Sequence, residues 1–214
     1  NAIMEQRKDI SLTLELESGE SHVLSGAEIY KLIYDSNNPW MLSANGTIFT
    51  YEKEGIVPGL LKRWYAERKE LQGQLKKAKD ANNEVEIEYW DKRQLVKKIN
   101  LNSLYGAILN PGCRFFDKRI GQSTTLTGRQ IVKHMSAKVN EIITGEYDHV
   151  GKAVIYGDTD SVYFSAYPIL KSEIEAGKIP WSKENVITLY DQVCEEANKT
   201  FADFMAKAFH CPKT

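Results

Sequence analysis

The segment Ala153–Phe164, AVIYGDTDSVYF, constrains the fold more than any other stretch of this chain. Val154, Ile155 and Tyr156 lead into Gly157-Asp158, and Ser161, Val162, Tyr163 and Phe164 lead away. β-Formers flanking a turn signal predict a two-stranded hairpin over 153–165. Side chains alternate along an extended backbone, so Asp158 and Asp160 are expected to point the same way with Thr159 between them. Two carboxylates at one tip repel each other unless a positive charge sits between them. A hard divalent cation with oxygen ligands meets that need. An acidic turn that binds nothing fits the same local pattern, because Asp is common in turns.

A second block lies upstream, Lys97-Lys98-Ile99-Asn100-Leu101-Asn102-Ser103-Leu104-Tyr105-Gly106. At about 100° per residue, Lys98, Asn102 and Tyr105 share an arc of about 60° on one helix face. A cation, an amide and a hydroxylated ring on one stripe suit a phosphate, a sugar edge and a base. A solvated amphipathic helix with incidental Lys and Asn is the plainer alternative. Gly106 costs roughly 1 kcal/mol against Ala inside a helix, which is tolerable where something must approach the backbone.

Together the two blocks resemble the family B (alpha-like) DNA-directed DNA polymerases. Lys98-x-x-x-Asn102-Ser103-x-Tyr105-Gly106 is similar to that family's fingers motif, and Tyr156-Gly157-Asp158-Thr159-Asp160-Ser161 to its palm motif. A third stretch starts at Gly55-Ile56-Val57-Pro58 and continues through Leu60, Leu61, Trp64, Leu71 and Leu75 as a helical pattern. Within it, Trp64-Tyr65-Ala66-Glu67-Arg68-Lys69 resembles the other fingers helix, whose Arg binds the triphosphate. The family often has a Lys one turn later. Here Gln72 stands there, so a neutral hydrogen bond replaces a charge unless Lys69 or Lys76 compensates.

The resemblance implies an α+β fold: a polymerase palm fragment, an antiparallel β-hairpin with packing helices, plus an antiparallel two-helix fingers hairpin. Residues 1–57 would be palm, 58–110 fingers, and 111–214 palm carrying the acidic hairpin. It implies template-directed DNA synthesis, in which a primer 3′-hydroxyl attacks a deoxynucleoside triphosphate with the help of two Mg2+ ions, Mn2+ being able to substitute. Asp160 would be the principal metal ligand in this chain and Asp158 a supporting acid. Arg68, Gln72, Lys98, Asn102 and Tyr105 would bind the nucleotide. Partners would be primer–template DNA, deoxynucleoside triphosphates, and the remaining polymerase domains or a complementing chain, with no membrane.

Asn1-Ala2-Ile3-Met4 resembles the continuation of the family's remaining motif, D-x-x-S-L-Y-P, which carries the other metal-binding Asp. That Asp would then lie upstream of residue 1, and the chain alone is expected to be inactive. Asp9 lacks a following Tyr-Pro and is not nominated. The family's Lys-Lys-Arg-Tyr primer-binding stretch would follow Thr214. A noncatalytic nucleic-acid-binding module with vestigial aspartates is the alternative. The short fingers lean towards a phage or other viral replicative enzyme, hence an intracellular site of action.

Composition fits these expectations. No run approaches the roughly 18 apolar residues of a membrane span. Cys113, Cys194 and Cys211 have no metal-ligand spacing and are odd in number, which suggests reduced thiols. The net charge of −1 hides an asymmetry: 61–119 carries fourteen Lys and Arg against eight Asp and Glu, the other residues fourteen against twenty-one. Positive charge gathered in one segment attracts anions despite a near-neutral total.

Local signals place the rest. Ser25-Gly26-Ala27-Glu28 reads as a capping box for a helix through Tyr34. Helices over 58–80 and about 84–109 are joined by Asp80-Ala81-Asn82-Asn83. Met135, Val139 and Ile142 stripe a helix from about Ser123 to Ile143. Val186 to about Phe209 reads as one helix, with Tyr190, Cys194, Ala197 and Phe201 on one face. Both stripes read as core.

Overall fold

The computed structural model describes residues 2–212. Asn1, which opens the Asn1–Met4 match, and Lys213 and Thr214, at the end of the 111–214 segment, lie outside the described residues. The chain forms two units, Asn1–Thr50 with Ser123–Thr214, and Tyr51–Gln122.

In the first unit, β1 (Ser11–Glu15) and β2 (Ser21–Ser25) pair antiparallel, with Leu12 opposite Leu24. Ser25 then starts α1 (Gly26–Tyr34): its hydroxyl accepts from the Glu28 amide while the Glu28 carboxylate takes the Ser25 amide at 2.7 Å. This is the expected capping box, satisfying two otherwise orphaned donors at once. α1 buries Ile29 and Ile33 against Leu42 of β3 (Trp40–Leu42), with Leu12, Leu24 and Ile48 of β4 (Ile48–Thr50) around them. Gly46 turns β3 into β4 at φ 89°, a conformation glycine adopts freely.

The second unit is dominated by α2 (Ile56–Asp80) and α3 (Glu84–Ile108), packed against each other. α2 begins two residues before Pro58, because a proline in the first turn removes an N–H that has no helical partner. Asn82 reverses the chain at φ 51°, and the Asn83 side chain accepts from the Glu86 amide at 3.3 Å to cap α3.

α4 (Lys118–Thr144) is longer than its stripe suggested, and its first turn belongs to the second unit. Its buried arc holds His134, Ala137, Val139 and Asn140. Ile142 is 39% exposed, and Ile143 packs with Val139 instead. Two residues beyond Asn140, Ile142 is turned about 200° from the centre of that arc. Val139 and Ile143 meet Val154 of β5 (Val154–Asp158), Phe164 of β6 (Ser161–Phe164) and two residues of a later helix. β5 and β6 form the expected hairpin, with Val154 opposite Phe164 and Asp158 opposite Ser161.

Next comes α5 (Tyr167–Glu175), an element the sequence reading does not assign. The expected single helix over 186–209 is two, α6 (Lys183–Lys199) and α7 (Phe201–Phe209). Thr200 separates them: its hydroxyl donates to the Ala197 carbonyl at 2.7 Å and so competes with the backbone ladder. On α6, Val193 and Ala197 are buried and Cys194 is exposed, so the apolar step from Tyr190 is three residues, not four. Three separate two-stranded antiparallel sheets and seven helices make the described residues an α+β structure.

His134 ties α4 to Thr200. Its Nε2 lies 3.0 Å from the Thr200 hydroxyl and its Nδ1 2.8 Å from the Tyr147 hydroxyl. The Thr200 proton is spent on Ala197, so Nε2–H donates to Thr200 and Tyr147 donates to a neutral Nδ1. Burial holds the imidazole below its ordinary 6.5, and the Lys138 ammonium pushes the same way against Glu141. The unfolded chain therefore binds this proton more readily. Stability is full above about 6.5 and declines as pH falls through the folded value below it. Thermal midpoints measured across that window should drop on acidification in the wild type, with a flatter slope in His134→Gln.

Candidate functional site

Asp158 closes β5, and Asp160 lies in the turn that follows. The bend is not where the sequence places it. Gly157 is paired in the ladder with Val162, and the reversal falls on Thr159, at φ 43°. That left-handed conformation is an outlier for a β-branched residue, and such outliers gather at functional sites. It also breaks the extended backbone on which the alternation argument for Asp158 and Asp160 rests. The Thr159 hydroxyl donates to the Asp158 carboxylate at 2.9 Å, and the Ser161 hydroxyl to the Asp158 carbonyl at 3.2 Å.

Both aspartates are exposed, and neither has a cation beside it among the described residues. Among those residues no group of three or more His, Cys, Asp and Glu side chains forms a metal cage. Two exposed carboxylates on one turn nevertheless offer the hard oxygen atoms that a divalent cation takes.

The hairpin is fixed from its root. Asn140 on α4 is fully buried. Its Oδ1 accepts from the Ala153 and Val154 amides at 3.0 and 3.2 Å, and its Nδ2 donates to the Asp148 carbonyl at 2.7 Å. Sequence reasoning missed this clamp. The available signal was an Asn inside the buried arc of α4, where a polar side chain must find partners. Ile155, Tyr156 and Tyr163 stay exposed, the two Tyr rings 5.8 Å apart.

On the helical pair, the seam between α2 and α3 has two flanks. Glu67 and Lys97 form an ion pair on one, and the Lys97 ammonium holds the Glu67 carboxyl below the usual range. Arg68 lies across the other, its Nε donating to Gln94 Oε1 at 3.4 Å. Gln94 in turn donates to Asp91 at 3.0 Å. Stepping about 100° per residue from these contacts puts Gln72, Lys98, Asn102 and Tyr105 on the Arg68 flank.

Five sequence candidates thus share one side of the pair. Lys98 and Asn102 are exposed, and Lys98 has no ion-pair partner among the described residues. With Nε tethered, the Arg68 fork presents its remaining donors in the planar geometry that matches a phosphate. The Tyr105 hydroxyl donates to the Gly121 carbonyl at 3.2 Å, which leaves the ring as its contact surface. Space beyond Gly106 is open, since an added Cβ would meet nothing within 4 Å. The two aspartates belong to one unit and these five residues to the other.

Comparison with known proteins gives one consistent answer. The model of DNA polymerase family B matches residues 12–205. The DNA polymerase delta catalytic subunit of Oryza sativa subsp. japonica is 38% identical over 112 residues, 51% of this chain and 10% of that protein. The DNA-directed DNA polymerase of Escherichia phage RB69 is 40% identical over 78 residues, 36% of this chain and 9% of the phage protein. The DNA polymerase alpha catalytic subunit of Arabidopsis thaliana is 30% identical over 149 residues, 69% of this chain and 8% of the subunit. The matched stretch is thus about a tenth of each relative's length. Among the described residues no helix is long and apolar enough to cross a membrane.

Proposed function

We propose, since the chain belongs to DNA polymerase family B, that it takes part in template-directed DNA synthesis and supplies the nucleotide-binding fingers and one acidic part of the palm. Residues 58–110 are then fingers, and 1–57 with 111–214 palm. The observation that carries this reading is the single flank shared by Arg68, Gln72, Lys98, Asn102 and Tyr105, with the neighbouring Lys97 tied away by Glu67.

In the proposed reaction a primer 3′-hydroxyl attacks the α-phosphate of a deoxynucleotide and pyrophosphate departs. Arg68 and Lys98 hold the β and γ phosphates and offset the charge that develops there. Gln72 adds a neutral hydrogen bond where the family often has a cation, and Asn102 reaches the phosphates or fixes the helix. Tyr105 lines the nascent base pair with its ring. Asp160, supported by Asp158, holds Mg2+ or Mn2+, which when bound stabilises the attacking and leaving oxygens. The family's D-x-x-S-L-Y-P motif has no counterpart within residues 1–214. In this proposal the reaction also draws on further polymerase domains, in the same or a complementing chain.

Adjacent lysines make the test. A charge-assisted phosphate contact is worth about 1.5–3 kcal/mol, so Lys98→Ala should weaken binding of a fluorescent deoxynucleoside triphosphate by about tenfold or more. Lys97→Ala should leave that affinity nearly unchanged. Equal losses, or a larger loss at Lys97, would refute the assignment.

A further inference from the structure

We infer that the loop between α3 and α4 is a stacking platform for single-stranded DNA, with Phe115 as its aromatic face. The inference rests on the DNA-synthesis reading and extends it to a part of the chain that no motif covers. Phe115 is 71% exposed and Phe116 41%.

These rings are not on a slack segment. The Cys113 amide donates to the Asn110 carbonyl at 2.9 Å, Phe116 to Cys113 at 3.1 Å, and Asp117 to Ile108 at 3.0 Å. Asn110 also accepts from the Gly112 amide at 2.9 Å through its side chain. At the far end, the first turn of α4 packs onto Leu109, leaving no room for a Cβ on Gly121. Phe115 is thus held out to water on a hydrogen-bonded turn. A large ring in that position is pre-organised for a ligand with a flat apolar face.

Charge says which ligand. Arg114 and Lys118 flank the rings, both exposed and without a carboxylate partner among the described residues. The loop's one carboxylate, Asp117, is taken up by Arg119, whose backbone amide and Nη2 each reach it at 2.8 Å. Aromatic faces between unpaired cations match nucleobases strung on phosphates. Duplex DNA keeps its bases stacked on one another, so the fitting occupant is a single strand. Tyr105 donates to Gly121 in the first turn of α4, just past this loop, which joins the platform to the nucleotide-handling flank. The strand that fits there is the template before it pairs.

The test is fluorescence anisotropy of a labelled oligothymidylate titrated with the chain, beside a blunt duplex. Loss of one base–aromatic stack should make Phe115→Ala bind the oligothymidylate about tenfold or more weakly, with duplex binding unchanged. Phe115→Trp should keep the affinity. Arg114→Ala should lower the salt slope by about one. Phe115→Ala that binds oligothymidylate like wild type would overturn the platform, and a gain in its solubility would assign the patch to a protein contact. Equal weakening on both DNAs would overturn it too. A wild-type chain that binds neither DNA fails the DNA-synthesis reading itself, a result distinct from failure at Phe115 alone.

Discussion

If the proposed DNA-synthesis reading holds, Asp160→Ala in an active polymerase carrying these residues should lower primer extension by about a thousandfold or more, while primer–template DNA binds nearly as before. A metal ion used as Lewis acid contributes several kcal/mol to a phosphoryl transition state, and each 1.36 kcal/mol is about tenfold in rate. The aspartate can be removed without disturbing the fold. It lies exposed in the β5–β6 turn, has no ion-pair partner among the described residues, and contributes nothing to the packing of Val154 and Phe164 below. Its loss should stay within the roughly 0.5 kcal/mol typical of exposed sites. Asp158→Ala should cost less activity, because the proposed reaction gives that carboxylate the supporting part. Single-turnover incorporation with Mg2+ measures both variants, and thermal melting checks that they fold. Substantial extension by the Asp160→Ala enzyme would refute the proposed role of Asp160 as a metal ligand.

Which features the sequence revealed follows from how far the deciding contacts reach. The Ser25–Glu28 box, the bend at Asn82-Asn83 and the pairing of β5 with β6 are set by partners a few residues apart, and each was legible. The break at Thr200 was not. Its hydroxyl turns back to Ala197 and also receives His134, whose place beside it is a tertiary contact across 66 residues. The same limit explains the misplaced stripes. Ile142 and Cys194 fit an apolar period, but the arcs that become buried are centred by Asn140 and by Val193 with Ala197. At the tip, Gly157-Asp158 is the better turn signal, yet the ladder keeps Gly157 paired and passes the positive φ to Thr159. In the helical pair, residue types alone make Lys97 and Lys98 equivalent cations. Glu67, thirty positions upstream, tells them apart.

Asn140→Ala should destabilise the chain by about 3 kcal/mol, the largest stability loss anticipated for a single side chain here, read as a shift in the urea midpoint. The substitution strips the Ala153 and Val154 amides and the Asp148 carbonyl of their partner, and Ala153 is itself 0% exposed. A buried backbone group left unpaired costs about 1–3 kcal/mol, and admission of water at part of the site keeps the total below the full sum. Gly151 belongs to the same clamp, since a Cβ there would run into the Asn140 amide, so Gly151→Ala should destabilise as well. Asn140→Asp separates the two halves of the interaction. Its carboxylate still accepts from both amides but cannot donate to Asp148 until protonated. The folded chain therefore favours the protonated acid, which raises its pKa, and Asn140→Asp should gain stability relative to Asn140→Ala as pH falls. β5 starts at this clamp and ends at Asp158, so a loosened root displaces the acidic tip along one short strand. In an active polymerase carrying this chain, at a temperature where Asn140→Ala remains folded, kcat should fall while KM for the deoxynucleotide stays near wild type, because the proposed nucleotide-binding flank lies on α2 and α3. A change confined to KM would show that Asn140 does not position the aspartates.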